Sequence, residues 1–369
     1  MVNENIAIDG HKIAWHKDRL KQWHEKGDCP PIYVEIGLTN LCNHDCVFCG
    51  FDYARGTDTL DTKVLLDNVK IMGNYGVKSI LYSGAGEPFL NKDFPQIIRK
   101  TKGYGIDVAF STNIALFNKL NAEKVLPYTS WIRLSLDSAT PETHAKVHRA
   151  KGQNREKDFS KILLNLENLV KIKRANNYGT TLGTQFLLLE ENAHEVLESA
   201  KLCRDLGLDL FQVKPYSKHP PSINELSVDY NKFKELEDEL KNMSTDTFKV
   251  VFRSTRMQRI KKERDYNQCL SLSFWAMINE RGDVVPCDLF YDVKEYFYGN
   301  IYENNFKEIW ESKKRQEVLQ KIKGRGVNNC KEGCRGDLIN SFLFKIKQGK
   351  IKIEEIKTKG EPSNHINFI

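Results

Sequence analysis

From about residue 31 onward, short runs of β-branched and aliphatic residues alternate with amphipathic stretches, and no other feature restricts the fold as much. Such alternation builds strand–helix units around a parallel sheet. Six strands are predicted at Ile32–Ile36, Ser79–Ser83, Asp107–Ser111, Trp131–Leu136, Thr181–Leu188 and Leu208–Val213. Helices are predicted near 61–75, 92–104, 141–175 and 194–206.

The unusual residues sit where those strands end. Cys42, Cys46 and Cys49 follow the first strand, Gly84-Ala-Gly-Glu-Pro88 follows the second and Thr112-Asn113 the third. Ser135-Leu-Asp137 closes the fourth, Gln185 lies within the fifth and Lys214-Pro-Tyr216 ends the sixth. In a barrel of parallel strands the C-terminal ends converge on one face, which is where such folds place their chemistry. Six separate segments therefore point to one site.

Length and composition set the surroundings. At 369 residues the chain exceeds one ordinary core, so a main domain and a smaller one are expected. The expected divisions are an N-terminal helical arm at 1–30, the barrel at 31–225, a connector at 226–265, a cysteine-bearing domain at 266–345 and a tail at 346–369. The connector is broken by His219-Pro-Pro221 and carries a helical stretch near 229–243. In the tail, Lys345–Lys359 alternates Lys and Ile, which fits either an amphipathic helix or an edge strand. Apolar runs such as Thr184–Leu189 are strand-sized and residues 1–30 carry charges, so a cytoplasmic protein without membrane spans is expected. The net charge of +7 is spread over mixed Lys/Glu surfaces, which favours anionic small molecules over nucleic acid.

Nine cysteines without an export signal read as metal ligands or reactive thiols, because a reducing compartment disfavours disulfides. Cys42-x3-Cys46-x2-Cys49 supplies three thiolates, enough to hold three irons of a cubane and leave the fourth open. His44 lies too close inside that loop to serve as a fourth ligand for zinc. Gly84 and Gly86 let backbone approach a ligand, and Glu87 offers an acceptor for an ammonium.

The cysteine loop, its place after the first strand and the Gly84–Pro88 segment together resemble the radical SAM superfamily. The resemblance implies an α/β chain folded as a partial (β/α)6 TIM-like barrel. It implies a [4Fe–4S] cluster on Cys42, Cys46 and Cys49 whose open iron chelates S-adenosylmethionine (SAM). An electron passed from that cluster would cleave SAM to a 5′-deoxyadenosyl radical, which abstracts hydrogen from unactivated carbon. Phe48, Gly84, Gly86, Glu87, Asn113, Ser135, Arg149 and Gln185 are the residues it assigns to cofactor binding. Turn capping is the competing reading of Asn113 and Ser135, and a solvated surface position that of Arg149. A flavodoxin- or ferredoxin-type protein would supply electrons.

Cys269, Cys287, Cys330 and Cys334 saturate either a zinc ion or a second cluster, and spacing alone leaves both open. After such a barrel, Cys269-x12-Gly282-x4-Cys287 resembles the opening of SPASM and twitch auxiliary-cluster domains. Full SPASM domains carry more cysteines, so the resemblance implies the shorter, twitch-type domain with one auxiliary [4Fe–4S] cluster. A fully ligated cluster favours electron relay, hence net oxidation.

Asp137, Lys214 and Tyr216 are the candidate catalytic residues, with Asp137 or Lys214 taking an alcohol proton. An internal Asp–Lys pair is the alternative reading. His219 and Asn224 lie on the next loop. Two resembling groups are an aminocyclitol-alcohol dehydrogenase and the GTP cyclase of molybdenum-cofactor synthesis. The cyclase's C-terminal Gly-Gly is missing from Ile366-Asn-Phe-Ile369, and its auxiliary site uses three cysteines. Only about 30 residues precede the first strand, short for a peptide-leader domain. The expected substrate is a small polyol, sugar or sugar nucleotide; the basic run Arg253–Arg264 reads as a solvated helix face, with a phosphate-side surface as the alternative. Alternatives are a radical epimerase using the Cys203 thiol, a peptide-modifying enzyme and a zinc-stabilised binding module. Cys29 and Cys203 otherwise read as lone structural thiols.

Overall fold

The computed structural model describes residues 10–152, 155–259, 263–358 and 365–369. Ten strands form one sheet: β1 (Tyr33–Ile36), β2 (Ser79–Tyr82), β3 (Asp107–Thr112), β4 (Trp131–Ser135), β5 (Thr181–Leu188), β6 (Leu210–Pro215), β7 (Lys249–Phe252), β8 (Trp275–Ile278), β9 (Asp283–Val285) and β10 (Gly299–Asn300). Their order is β10-β9-β8-β1-β2-β3-β4-β5-β6-β7. The first six strands are those read from the sequence, to within two residues at each end. All six run parallel, as a curved sheet with helices outside it requires.

Two further parallel strands extend the sheet. The 226–265 segment contributes the helix Leu236–Asn242 and β7, which pairs with β6, so it adds a seventh unit to the barrel wall. At the other edge β8, from the cysteine-bearing region, pairs in parallel with β1, and β9 and β10 follow antiparallel. The auxiliary region is therefore continuous with the barrel sheet. β7 alternates buried and half-buried residues, whereas β8 is apolar and buried throughout.

Local chemistry explains the helices. In Thr62–Tyr75 the apolar stripe Leu65, Val69 and Met72 is buried, Asp61 caps the start by accepting from Val64 N, and Gly76 ends it at φ 101°. The single helix expected over 141–175 is two, Pro141–His148 and Arg155–Ala175. The break falls at Arg149, which is left-handed at φ 49° and exposed. Over its described part, 345–358, the Lys/Ile stretch makes neither an amphipathic helix of its own nor an edge strand. Its first residues finish the helix Asp337–Lys347, and a short turn follows at Ile353–Glu355. Residues 365–369 lie beneath the barrel, with Phe368 edge-on to Tyr33 and Asn367 Nδ2 donating to Asp107 Oδ2 at 2.7 Å. Among the described residues no helix is long and apolar enough to cross a membrane.

Glu195 fastens the Pro141–His148 helix to the barrel. Its carboxylate accepts from Ala139 N, Thr140 N, Thr140 Oγ1 and Thr143 Oγ1. Burial disfavours the charge, but the four donors outweigh it and hold the pKa below the usual glutamate value. A depressed folded pKa gives stability that is present above the ordinary value and lost as pH falls through the depressed one. Glu195→Gln is therefore expected to cost about 1–3 kcal/mol at neutral pH. In denaturant melts the difference from wild type should shrink in acid.

Candidate active site

Sequence order places the chemistry at the C-terminal strand ends, and the fold gathers it around one cavity of about 280 Å³. Its wall includes Cys42, Cys46 and Cys49 with Phe48, the segment Gly84–Glu87, and Asn113, Ser135, Gln185, Lys214 and Tyr216. A second cavity of about 190 Å³ shares Arg133, Gln185, Lys214, His219, Arg256 and Lys331 with it and continues toward β8. Asp137 and Arg149 are not in either wall.

The cysteine loop is held from several sides. Glu87 N donates to Leu41 O at 2.8 Å, and a Cβ on Gly86 would lie 2.2 Å from Leu41 O and 2.4 Å from Thr39 O. A Cβ on Gly84 would lie 2.6 Å from Gly37 Cα. These glycines admit protein backbone, where the sequence suggested a ligand. The Glu87 carboxylate is buried in the cavity wall and accepts from Thr112 Oγ1 and Asn113 N at 2.8 Å each, which anchors the end of β3. Burial, partly offset by those donors, pushes its pKa up to about 7. Asn113 Nδ2 donates to Asn43 Oδ1 at 2.8 Å, tying the third strand end to the cysteine loop.

The thiols show what they need. Burial pushes Cys46 well above the ordinary thiol range, and the Cys49 and Cys42 thiolates push in the same direction. Three thiols this close together become thiolates only against strong positive charge, which iron supplies. Arg55 adds to it: burial works against its charge, but the three thiolates outweigh this and raise its pKa. Its Nη1 donates to His44 O at 2.6 Å. The donor set fits a cubane with three cysteine ligands.

The late thiols also converge. Cys287 is raised well above its ordinary value by burial, Asp288 and the thiolates of Cys334 and Cys269, and Cys334 is pushed up to about 12 by burial, acidic neighbours and Cys269. Cys330 adds its charge at Cys269. Asn340 Nδ2 donates to Cys269 Sγ at 3.6 Å and Gly336 N to Cys334 Sγ at 3.4 Å, hydrogen bonds suited to thiolate ligands of a metal centre.

Several expected roles move. Asp137, expected to face substrate as a base, is 1 % exposed and accepts from Leu187 N at 2.5 Å, with its other oxygen 3.0 Å from His148 Nε2. It joins β5 to the helix under the cysteine loop. Arg149, expected near SAM, points to solvent because the left-handed cap turns it away. Asn224 holds the loop through Nδ2 to Cys49 O at 3.1 Å, and Asp52 Oδ2 accepts from Ser222 Oγ, Ile223 N and Asn224 N. His219 closes against Gly50 and lies 2.9 Å from Lys331 Nζ. Cys203 is fully buried against Thr184 Oγ1 at 3.4 Å, away from both cavities, so it cannot return hydrogen to a substrate there. Cys29 is likewise buried, bonded to Ser273 O.

Other residues emerge only from the fold. Arg133 reaches inward from β4, with Nε donating to Ser111 Oγ at 2.7 Å and Nη2 to Ser83 Oγ at 3.1 Å. Arg256 Nη2 donates to Gly333 O at 2.7 Å. His44, His144 and His148 stack behind the cysteine loop. The His144-x3-His148 spacing, one face of a helix, was the only sequence signal for that stack.

Residues 36–203 match the family model of the radical SAM superfamily, and residues 269–335 match that of an iron–sulfur cluster-binding domain, SPASM. The chain carries a radical SAM domain followed by a SPASM domain. Its cofactors are accordingly SAM and [4Fe–4S] clusters, including an auxiliary one. This radical SAM protein is similar to a probable GTP 3′,8-cyclase of Saccharolobus islandicus, 26% identical over 214 residues covering 57% of this chain and 65% of the cyclase. The match thus spans less than two thirds of that relative. An AdoMet-dependent heme synthase of Methanosarcina barkeri is 26% identical over 343 residues, 83% of this chain and 90% of the synthase. Among solved structures, Streptococcus suis SuiB bound to precursor peptide SuiA superposes with a TM-score of 0.65 at 16% identity, covering 82% of this chain and 69% of SuiB. Native anSMEcpe with bound AdoMet superposes with a TM-score of 0.60 at 20% identity, covering 79% and 84%. Both show the same fold.

Proposed function

We propose that this radical SAM protein oxidises an alcohol on a small anionic molecule, a phosphorylated polyol, sugar or sugar nucleotide. The observation that carries this reading is the charge of the cavity. Arg133 and Arg256 enter it as cations, and among the described residues neither has a carboxylate within ion-pair distance. Their neighbours Lys331 and Arg335 are by contrast paired, with Asp288 and Glu35. Cations gathered without counter-ions in a low-dielectric wall favour an anionic occupant.

In this reading Cys42, Cys46 and Cys49 hold the SAM cluster, Cys269, Cys287, Cys330 and Cys334 hold the auxiliary one, and Phe48, Ser135 and Gln185 line the SAM side. When bound, SAM and the clusters supply the hydrogen-abstracting radical and a path for electrons. Arg133, steadied by its two serines, orients an anionic group. Lys214 takes the hydroxyl proton. Burial and the charges of Arg133, Arg256, Arg253 and Lys331 hold its pKa well below the ordinary lysine value, which favours the neutral amine that can accept. Activity is then lost as pH falls through that depressed pKa. Tyr216, buried in the cavity wall, contacts the same substrate.

Two measurements test this. With a panel of sugar phosphates, sugar nucleotides, neutral polyols and peptides, substrate-dependent 5′-deoxyadenosine release is expected only for the anionic small molecules; stimulation confined to peptides or neutral polyols overturns the reading. Lys214→Arg keeps a cation but cannot take a proton. It should lower product formation about 10²–10⁴-fold with substrate still bound. Undiminished turnover would remove Lys214 as the base.

A further inference from the structure

Within the cysteine loop, His44 packs with two histidines of the Pro141–His148 helix, a cluster with no part in the reading above. His44, His144 and His148 are each no more than 1 % exposed. The rings of His144 and His148 stack with centroids 4.5 Å apart, and His44 stands edge-on to both at 6.0 and 5.6 Å. Asp158 Oδ2 lies 2.9 Å from His144 Nε2 and 3.0 Å from His44 Nε2. Backbone bonds join the same segments, Val47 N to Val147 O at 3.0 Å and Lys151 N to Asn43 O at 2.8 Å. The loop and the end of the helix are thus one rigid unit. Within it, His148 Nδ1 lies 3.6 Å from Cys46 Sγ.

We propose that His148 donates its Nδ1 hydrogen to the Cys46 thiolate when that sulfur ligates iron, and so raises the reduction potential of the SAM cluster. A cysteinate bound to iron has no proton to give and can only accept. The imidazole cannot turn away, because Phe48 meets it edge-on at 5.3 Å and His144 stacks on its other side. Its Nε2 faces Asp137 Oδ2 at 3.0 Å. With a proton on that carboxyl oxygen, Nε2 faces it as the bare ring nitrogen. Nδ1 is then left with its own hydrogen, directed at sulfur. A hydrogen bond to a ligand sulfur stabilises the more negative, reduced cluster. His148 acts through Cys46 and is a positioning residue, not a catalytic one.

The test needs no substrate and stands apart from the proposed reaction. The midpoint potential of the SAM cluster is read by EPR-monitored redox titration of the full chain, following the signal that added SAM perturbs. His148→Asn places an amide nitrogen where Nδ1 was and should keep the wild-type potential. His148→Gln reaches toward Asp137 but not the sulfur, and His148→Leu reaches neither. Both should disfavour reduction about tenfold, about 59 mV for a one-electron couple. Equal potentials in all four proteins at equal iron content overturn the proposal. A second readout uses no variant. In the wild type grown on ring-¹⁵N-histidine, the reduced SAM-free cluster should show weak ¹⁵N coupling in pulsed EPR, and its absence overturns the proposal whether or not the variants fold.

Discussion

Replacing Cys46 by alanine is expected to abolish SAM cleavage and remove about four irons per chain, leaving about four on the auxiliary site. Cys42→Ala and Cys49→Ala should do the same. The reasoning is electrostatic as much as coordinative. The three thiols lie within each other's fields and within that of Arg55, and burial holds Cys46 and Cys42 above the ordinary thiol range. Two remaining thiolates cannot secure a cubane that three hold at one open iron. Because the late cysteines belong to separate segments, from Cys269 to Cys334, the second site should load independently. Iron analysis of anaerobically reconstituted protein, with 5′-deoxyadenosine measured by mass, checks both halves. Retained cleavage in Cys46→Ala would contradict the assignment.

Gly86→Val is expected to be almost as damaging without touching a ligand. The new Cβ would stand 2.2 Å from Leu41 O, 2.4 Å from Thr39 O and 3.0 Å from Asn40 C, all backbone of the segment leading into Cys42. Backbone cannot yield as a flexible side chain does, so the overpacking cost should reach or exceed the upper end of the roughly 1–3 kcal/mol typical of cores. Displacing that segment breaks the Glu87 N to Leu41 O bond and misplaces Cys42. Cluster content and SAM cleavage should both collapse, while the far-UV dichroism of the remaining barrel persists. Cluster loading near the wild-type level would show that the two loops are not coupled as described.

Much of this was legible in the sequence because it is written in local patterns. The six inner strands are marked by short β-branched and aliphatic runs, and the loops at their C-terminal ends by residues that strands rarely carry, Cys42 and Gly84 among them. What escaped is what depends on distant pairing. β7 and β8 are short and gain their place from the free edges of β6 and β1, which no window along the chain reveals. Arg149 read as a ligand because it ends a helical run, yet its left-handed turn sends it outward. Asp137 lies just beyond a strand end like the cavity residues, but the Leu187 amide and His148 claim both of its oxygens. Arg133, by contrast, sits mid-strand and was passed over, although β4 carries it to the cavity between Ser83 and Ser111. The His44, His144 and His148 stack joins a loop to a helix about a hundred residues away, and only folding brings them together.

The most direct test of the central claim is the mass of the product. Anaerobic incubation of the reconstituted protein with SAM, a reductant and a phosphorylated sugar or polyol that stimulates 5′-deoxyadenosine release should yield a substrate lighter by two hydrogens, one equivalent per 5′-deoxyadenosine. A product of unchanged mass carrying one deuterium from heavy water would contradict the account, because it would mean hydrogen is returned to the substrate and no net oxidation takes place.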